Sequence, residues 1–182
     1  MNKVSKAYVN TVDRINTIVG YFSMYLVLVM MGILLYETIM RTFFNKPHIW
    51  AVEMTEFVMA AYYTLGGGYS HIIEAHVRMD LIYHKLSEKN KAIMDIITFP
   101  LMGFYLVILL MGAIKGLKYS IVYHQKTYTA WAPPVAPVKI AMTIGIFLML
   151  LQAISELLKD IARARGEHIP RWEEIPMWEE KK

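Results

Sequence analysis

The sequence predicts an all-α integral membrane protein with four transmembrane helices, a short amphipathic helix at the amino end and both termini in the cytoplasm. Three observations predict it. Apolar residues, 56% of the 182-residue chain, are gathered into long uncharged blocks, without the polar stripe at the 3.6-residue period that a water-facing helix keeps. Thirteen of the 19 Lys and Arg residues fall on segments that four spans would place on one side. There is no cysteine, which excludes a disulfide-stapled secreted domain and thiolate chemistry, and the apolar content excludes a disordered chain.

At the amino end, Val4, Tyr8, Val12, Ile15 and Val19 recur at spacings of three and four, with Lys3, Lys6, Asp13 and Arg14 on other faces. This is the pattern of a short interfacial helix. The uncharged run Ile15 to Tyr36 then supplies 22 residues, against the roughly 20 that a helical span needs, and gives helix 1 at 18–40. The run is too long and starts too late for a cleaved signal peptide, and no small-x-small site follows it. Runs from Phe57 to Ile73 and from Ile96 to Ile114 give helix 2 at 54–74 and helix 3 at 93–114. The shorter run Ile140 to Ser155 reaches 138–158 as helix 4 once Val138 and the apolar stem of Lys139 are added. Trp131, Pro133, Pro134 and Pro137 in the loop before helix 4 forbid continuous helix and set an aromatic ring at headgroup depth. Residues 1–160 thus form the membrane domain. Residues 161–182, with Pro170, Pro176 and two Trp-Glu-Glu repeats at Trp172 and Trp178, form an extended cytoplasmic tail.

The basic residues set the orientation. Lys3, Lys6 and Arg14 precede helix 1; Arg78, Lys85, Lys89 and Lys91 lie between helices 2 and 3; six more follow helix 4. Arg41, Lys46, Lys115, Lys118, Lys126 and Lys139 fall on the other side. Basic loops favour the cytoplasm, so both termini are expected inside. The net charge of +4 and pI near 9.1 are accounted for by topology, with no nucleic-acid surface required.

Ionisable groups near the spans are the candidates for chemistry, because burying them in hydrocarbon is costly. Glu37 and Arg41 are four apart at the outer end of helix 1, which is ion-pair spacing; a proton carrier at Glu37 is the competing reading. Glu53 and Glu56 are expected in the first turn of helix 2, where the helix dipole favours acids, with Trp50 just before them at the interface. Three apart, they read either as a solvated helix start or as a site for a cation or a partner's arginine. Only His71 of the six histidines lies in a predicted span, so two axial haem ligands cannot be assembled, and no nucleotide-binding or zinc-hydrolase motif is present. No catalytic constellation is found, no metal site, and no cofactor is expected in this chain. Small residues are what the helices do carry: Ala60, Thr64 and Gly68 at four-residue spacing beside Gly66 and Gly67, Gly112 and Gly116 on helix 3, and Ala141 and Gly145 on helix 4. Such stripes let membrane helices approach closely, within one chain or between two.

The stretch from Trp50 to Leu86, WAVEMTEFVMAAYYTLGGGYSHIIEAHVRMDLIYHKL, resembles the signature of the DctQ-like small permease subunit of tripartite ATP-independent periplasmic (TRAP) transporters. The pattern is a Trp-x-x-Glu opening the second helix, glycine with small neighbours in its middle, and a His-x-x-x-Asp after its end. Here these are Trp50 with Glu53, Gly66 to Gly68, and His76 with Asp80. Trp131-Ala132-Pro133-Pro134, Pro137-Val138-Lys139 and Leu150-Leu151-Gln152 look like one branch of the same family; the Trp-rich tail is not part of its pattern.

The resemblance implies a bacterial inner-membrane subunit without a transport site of its own. It would pack against a large elevator-type permease subunit that binds sodium and moves an organic acid delivered by a periplasmic binding protein. Trp50, Glu53, His76 and Asp80 would then fix loop geometry or contact the partner. Two rivals remain at this stage: a self-sufficient homo-oligomeric exporter or ion channel using Glu37 or Glu53, and a membrane anchor for a redox enzyme.

Overall fold

A computed structural model describes residues 3–73 and 88–165. They form four helices: α1 (Lys3–Phe44), α2 (Ile49–Ile72), α3 (Glu88–Val122) and α4 (Ala136–Ala164). His76, Asp80 and the tail beyond residue 165 lie outside the described residues. Each helix except α2 outruns its expected span at both ends. The uncharged run delimits only what fits in hydrocarbon, while the Lys- and Glu-containing flanks remain good helix formers. α1 has 42 residues, about 63 Å at ~1.5 Å per residue, which is twice the ~30 Å hydrocarbon thickness.

Two expectations are corrected by these lengths. The amphipathic amino-terminal segment is no separate interfacial helix; it is the first third of α1, since no proline interrupts the chain before Phe44. Its buried side is set by Val9, Val12, Asn16 and Ser23, and Ile15, expected on that face, is exposed. α2 begins at Ile49 instead of residue 54, so neither Glu53 nor Glu56 is in its first turn and neither gains from the dipole of the first turn. Residues 161–164, read as tail, complete the last turn of α4.

α1, α3 and α4 are long and apolar enough to cross a membrane. α2 does not reach that threshold, because its lower half carries Tyr62, Tyr63, Thr64, three glycines, Tyr69, Ser70 and His71. Its weakness in apolar side chains follows from its position. α4 packs against all three other helices; α1, α2 and α4 are in mutual contact, with α2 bearing on both α1 and α4, and α3 packs on α4. A helix sandwiched on two sides needs fewer lipid-facing groups.

The glycines make that sandwich thin. A Cβ on Gly145 of α4 would sit 2.5 Å from the Thr64 carbonyl carbon and oxygen, so α4 and α2 meet backbone to side-chain-free backbone. Three consecutive α2 glycines face two neighbouring helices: Gly66 lies towards Ser23 and Gly68 against the Asn16 side chain, both of α1, and Gly67 lies against the Met149 thioether of α4. Gly20 of α1 in turn accommodates the Tyr69 ring. The small-residue stripe of α2 is therefore used within this chain. By contrast, Cβ atoms on Gly32, Gly112 or Gly116 would meet nothing within 4 Å.

The largest fully buried side chains are mostly polar. Among the described residues they are Gln152, Asn16, Ser23, Ser120 and Ser155, with Leu106 the apolar one. Large apolar side chains such as Phe22, Tyr25, Phe43, Leu101 and Phe104 point outwards. That is the reverse of a soluble core and suits a hydrocarbon solvent, in which apolar burial between helices drives nothing.

Substitution with alanine separates used from unused glycines. Gly145→Ala should lower the thermal unfolding temperature of the purified protein, since the Thr64 backbone cannot yield as a flexible side chain would; overpacking of this kind costs about 1–3 kcal/mol. Gly68→Leu should lose stability too, through Asn16. Gly112→Ala should leave the unfolding temperature unchanged or raise it slightly.

Candidate functional site

The polar groups gather at the two ends of the bundle. At the end holding the α1–α2 loop, Glu37 is 6% exposed, one turn before Arg41. Arg41 Nη2 donates to Glu37 Oε1 at 3.1 Å, as the i, i+4 spacing predicted. The stronger hold comes from elsewhere: the His48 backbone N–H donates to both carboxylate oxygens, at 3.3 and 3.1 Å, and His48 Nδ1 lies 3.5 Å from Oε2. The chain reaches this position by a turn at Asn45, whose φ of 51° suits an asparagine in the left-handed region, with Lys46 N–H bonding back to Met40 O. Trp50 completes the corner, its ring 5.9 Å from Tyr36 and 6.1 Å from His48 between centroids. Glu37 thus pins the start of α2 to the end of α1. The histidine backbone as acceptor's partner could not have been read from side-chain spacing.

Glu53 and Glu56 do not act together. Glu56 is exposed, whereas Glu53 is 5% exposed and faces the loop before α4. Thr127 Oγ1 donates to Glu53 Oε2 at 3.2 Å, and Glu53 Oε1 is buried with no hydrogen-bond partner. The loop itself is a compact hairpin-like turn rather than a loose crossing. Thr127 N–H donates to Pro133 O at 3.1 Å, Val135 N–H to Gln125 O at 3.0 Å, and Lys126 pairs with Pro134 in an antiparallel bridge between them. Lys139 ties this turn to two helices, its Nζ donating to Gln125 Oε1 at 2.8 Å and to Gly116 O at 3.3 Å. Glu53 and Glu37 therefore belong to separate contacts, one holding a loop to α2, the other holding α2 to α1.

At the opposite end is a network that the sequence reading did not single out. Asp13 and Asn16 of α1 face Gln152, Ser155, Glu156 and Lys159 of α4. Gln152 is fully buried; its Nε2 donates to Asp13 Oδ1 at 2.8 Å and Glu156 Oε1 at 3.1 Å, while its Oε1 accepts from Asn16 Nδ2 at 3.0 Å. Lys159 Nζ sits 2.7 Å from Asp13 Oδ2 and 2.8 Å from Glu156 Oε1. Ser155 Oγ donates to Asp13 Oδ1 at 3.1 Å, and one turn away the Tyr8 hydroxyl donates to the Leu151 carbonyl at 3.2 Å. The signal was present in the spacing: Gln152, Ser155, Glu156 and Lys159 fall at three, one and three residues, a polar stripe on the last turns of an otherwise apolar helix.

None of this is an open path. The carboxylates Asp13, Glu37 and Glu156 are each engaged by donors of this chain, and among the described residues no three His, Asp or Glu side chains converge on a metal position. Ala60 and Thr64 are half-buried along the α2 stripe, with the Thr64 hydroxyl bonded to its own helix at Ala60 O. The arrangement fastens helices to one another and loops to helices.

A family described as tripartite ATP-independent periplasmic transporters, DctQ component, matches residues 30–163, nearly three quarters of the chain. No curated protein matches it.

The two contacts at Glu37 predict unequal effects. Arg41 is 61% exposed along its side chain, so Arg41→Ala should shift the unfolding temperature little, as exposed pairs contribute at most about 1 kcal/mol. Glu37→Leu removes the acceptor of a buried backbone N–H and should cost more, about 1–3 kcal/mol. Equal losses for the two variants would show that the arginine, and not His48, carries the contact.

Proposed function

Because the chain belongs to the DctQ family of TRAP transporter components, we propose that it is the small membrane subunit of a sodium-coupled transporter for organic acids. It is a membrane-embedded part of a transport system, and the family is a transporter component, not an enzyme family. In this reading all four helices span the inner membrane, α2 crossing in the shelter of α1 and α4, with both termini cytoplasmic. The chain packs against and stabilises a large elevator-type subunit, which holds the sodium and the substrate site and receives substrate from a periplasmic binding protein.

The observation that carries the reading is how most of the buried polar side chains are engaged. A transporter needs polar groups facing a route. Here Asn16, Gln152 and Ser155 bond between α1 and α4, Glu37 bonds to the start of α2, and Ser23 bonds to its own helix at Val19 O; Glu53 is held to the α3–α4 loop by one oxygen, and its other oxygen and Ser120 Oγ have no partner. What it offers to its surroundings is a broad apolar face on α1 and α3, broken by Gly32, Gly112 and Gly116. Such a surface suits lipid and a partner's helices alike. Trp50 and Glu53 keep the loops in shape rather than touch substrate; His76 and Asp80 are assigned the same role from the family signature alone. The exporter reading loses ground because Glu37 is fixed by His48 and Arg41, which leaves no free carboxylate in α1 to shuttle a proton.

Two experiments test the proposal. The chain should co-purify with a large TRAP permease subunit from its native membrane, and liposomes holding this chain alone should take up no organic acid under a sodium gradient; uptake by the single chain would overturn the accessory role. For topology, the absence of native cysteine permits single-cysteine labelling. Tyr128→Cys, at a fully exposed position of the α3–α4 loop, should react with an impermeant thiol reagent in intact cells, and Asn90→Cys should not. The opposite pattern would invert the orientation.

A further inference from the structure

Beside the Glu53–Thr127 contact lies a groove of about 550 Å³ whose lining is entirely apolar. Leu26 of α1, Phe57 and Ala61 of α2 and Ala141 of α4 form its floor and sides, and Trp131 and Pro134 of the α3–α4 loop form its outer wall. Its volume falls within the ~300–1,000 Å³ of small-molecule sites. Its length is informative as well. On α2 its lining runs from Met54 to Ala61, seven residues or about 10 Å at ~1.5 Å per residue, beneath the α3–α4 loop. That is about two thirds of one leaflet of the ~30 Å hydrocarbon layer.

The rim is polar on one side only. Lys126 and Pro134 are directly opposed in an antiparallel bridge, flanked by the Thr127–Pro133 and Val135–Gln125 hydrogen bonds. Opposed residues of an antiparallel pair project to the same face, and in this non-hydrogen-bonded register their side chains are closest. The Lys126 stem therefore stands beside the Pro134 ring that walls the groove. Lys126 is exposed and has no carboxylate partner among the described residues. Trp131, 45% exposed on the same wall, is the residue type that settles at the headgroup level. Pro133, Pro134 and Pro137 contribute no N–H to the lining, and no charged side chain lines the groove.

We propose that this groove holds one acyl chain of an anionic phospholipid from the leaflet on the α3–α4 loop side, with the lipid phosphate at Lys126. The proposal rests on the membrane placement above and is independent of the partner assignment. Charge complementarity favours the lipid over a partner helix: an apolar slot beneath an exposed lysine without a carboxylate partner among the described residues matches a molecule with an apolar chain beneath an anion. A bound lipid would also press the Trp131–Pro134 wall against α2, at the place where Thr127 meets Glu53.

Native mass spectrometry of the protein, purified with its large subunit and released from mild detergent, tests this. Wild type should retain one phospholipid per copy. After delipidation it should rebind from micelles containing phosphatidylglycerol in preference to phosphatidylethanolamine. Ala61→Trp, which fills the groove, should lose the lipid, with Ala141→Phe as the alternative filler if the first variant is unstable. Lys126→Glu, at an exposed site that does not threaten the fold, should lower the preference for phosphatidylglycerol several-fold. Wild type carrying no lipid, or filled variants retaining it, would overturn the proposal. So would Ala61→Trp losing the large subunit with its lipid count unchanged, since the groove would then seat a partner's helix. Failure of the large subunit to co-elute with wild type would instead count against the accessory-subunit reading, and the lipid count on this chain alone would still decide the groove.

Discussion

The contact on which the rest of the structure depends is the approach of α4 to α2 at Gly145 and Thr64, where a side-chain-free position lies against a carbonyl. Lipid is as apolar as leucine, so helices in it gain nothing from hiding hydrocarbon from water; they gain from dispersion at short range and from polar bonds that lipid cannot satisfy. Both fall away steeply with distance. Gly145 on one side, and Gly66 to Gly68 facing Ser23, Met149 and Asn16 on the other, let α2 sit close to two neighbours at once. A glycine run costs helix propensity, about 1 kcal/mol per residue relative to alanine. The sandwich is what offsets it.

Close approach then makes the polar network possible. Gln152 can join Asn16, Asp13 and Glu156 because α1 and α4 come together beside the thin helix, and Asn16 itself rests on Gly68. The two ends of the bundle are fastened differently. At one end the bonds run between helices far apart in sequence, α1 to α4; at the other, Glu37 and Glu53 hold loops to the helices they follow or face. The long-range bonds fix which helices are neighbours, and the loop bonds fix the turn geometry. A partner that grips the outer loops would therefore meet a surface whose shape is already set.

Much of the fold was legible in the sequence, and what escaped was of one kind. Uncharged runs located four helices, because hydrocarbon thickness imposes a minimum length that composition records. The same measure could not find the ends: charged residues leave the hydrocarbon without leaving the helix, so α1 continues back to Lys3 and α4 forward to Ala164. The Glu37–Arg41 pair was visible as i, i+4 spacing within one helix. His48 as its second partner was not, since a backbone N–H has no residue signature and the Asn45 turn brings it there. Asp13 and Lys159 are 146 positions apart and meet only through tertiary packing. The stripe on α2 announced close packing but not with whom; the answer, α1 and α4, required the packing of the helices.

That answer constrains how the chain can meet anything else. With the α2 stripe occupied from within, the glycines left open among the described residues are Gly32, Gly112 and Gly116, on α1 and α3. α1 bears on both α2 and α4, whereas α3 bears mainly on α4 and turns most of its circumference to the surroundings, including Leu101, Phe104, Ile108 and Met111. α1, α2 and α4 are in mutual contact and α3 is applied to α4, so the polar groups between α1 and α4 are enclosed while the outward surface is hydrocarbon. In lipid that exterior gains nothing from hiding apolar area, so it can be covered only by shape, by helices that fit the notches at the open glycines or by lipid that fills them.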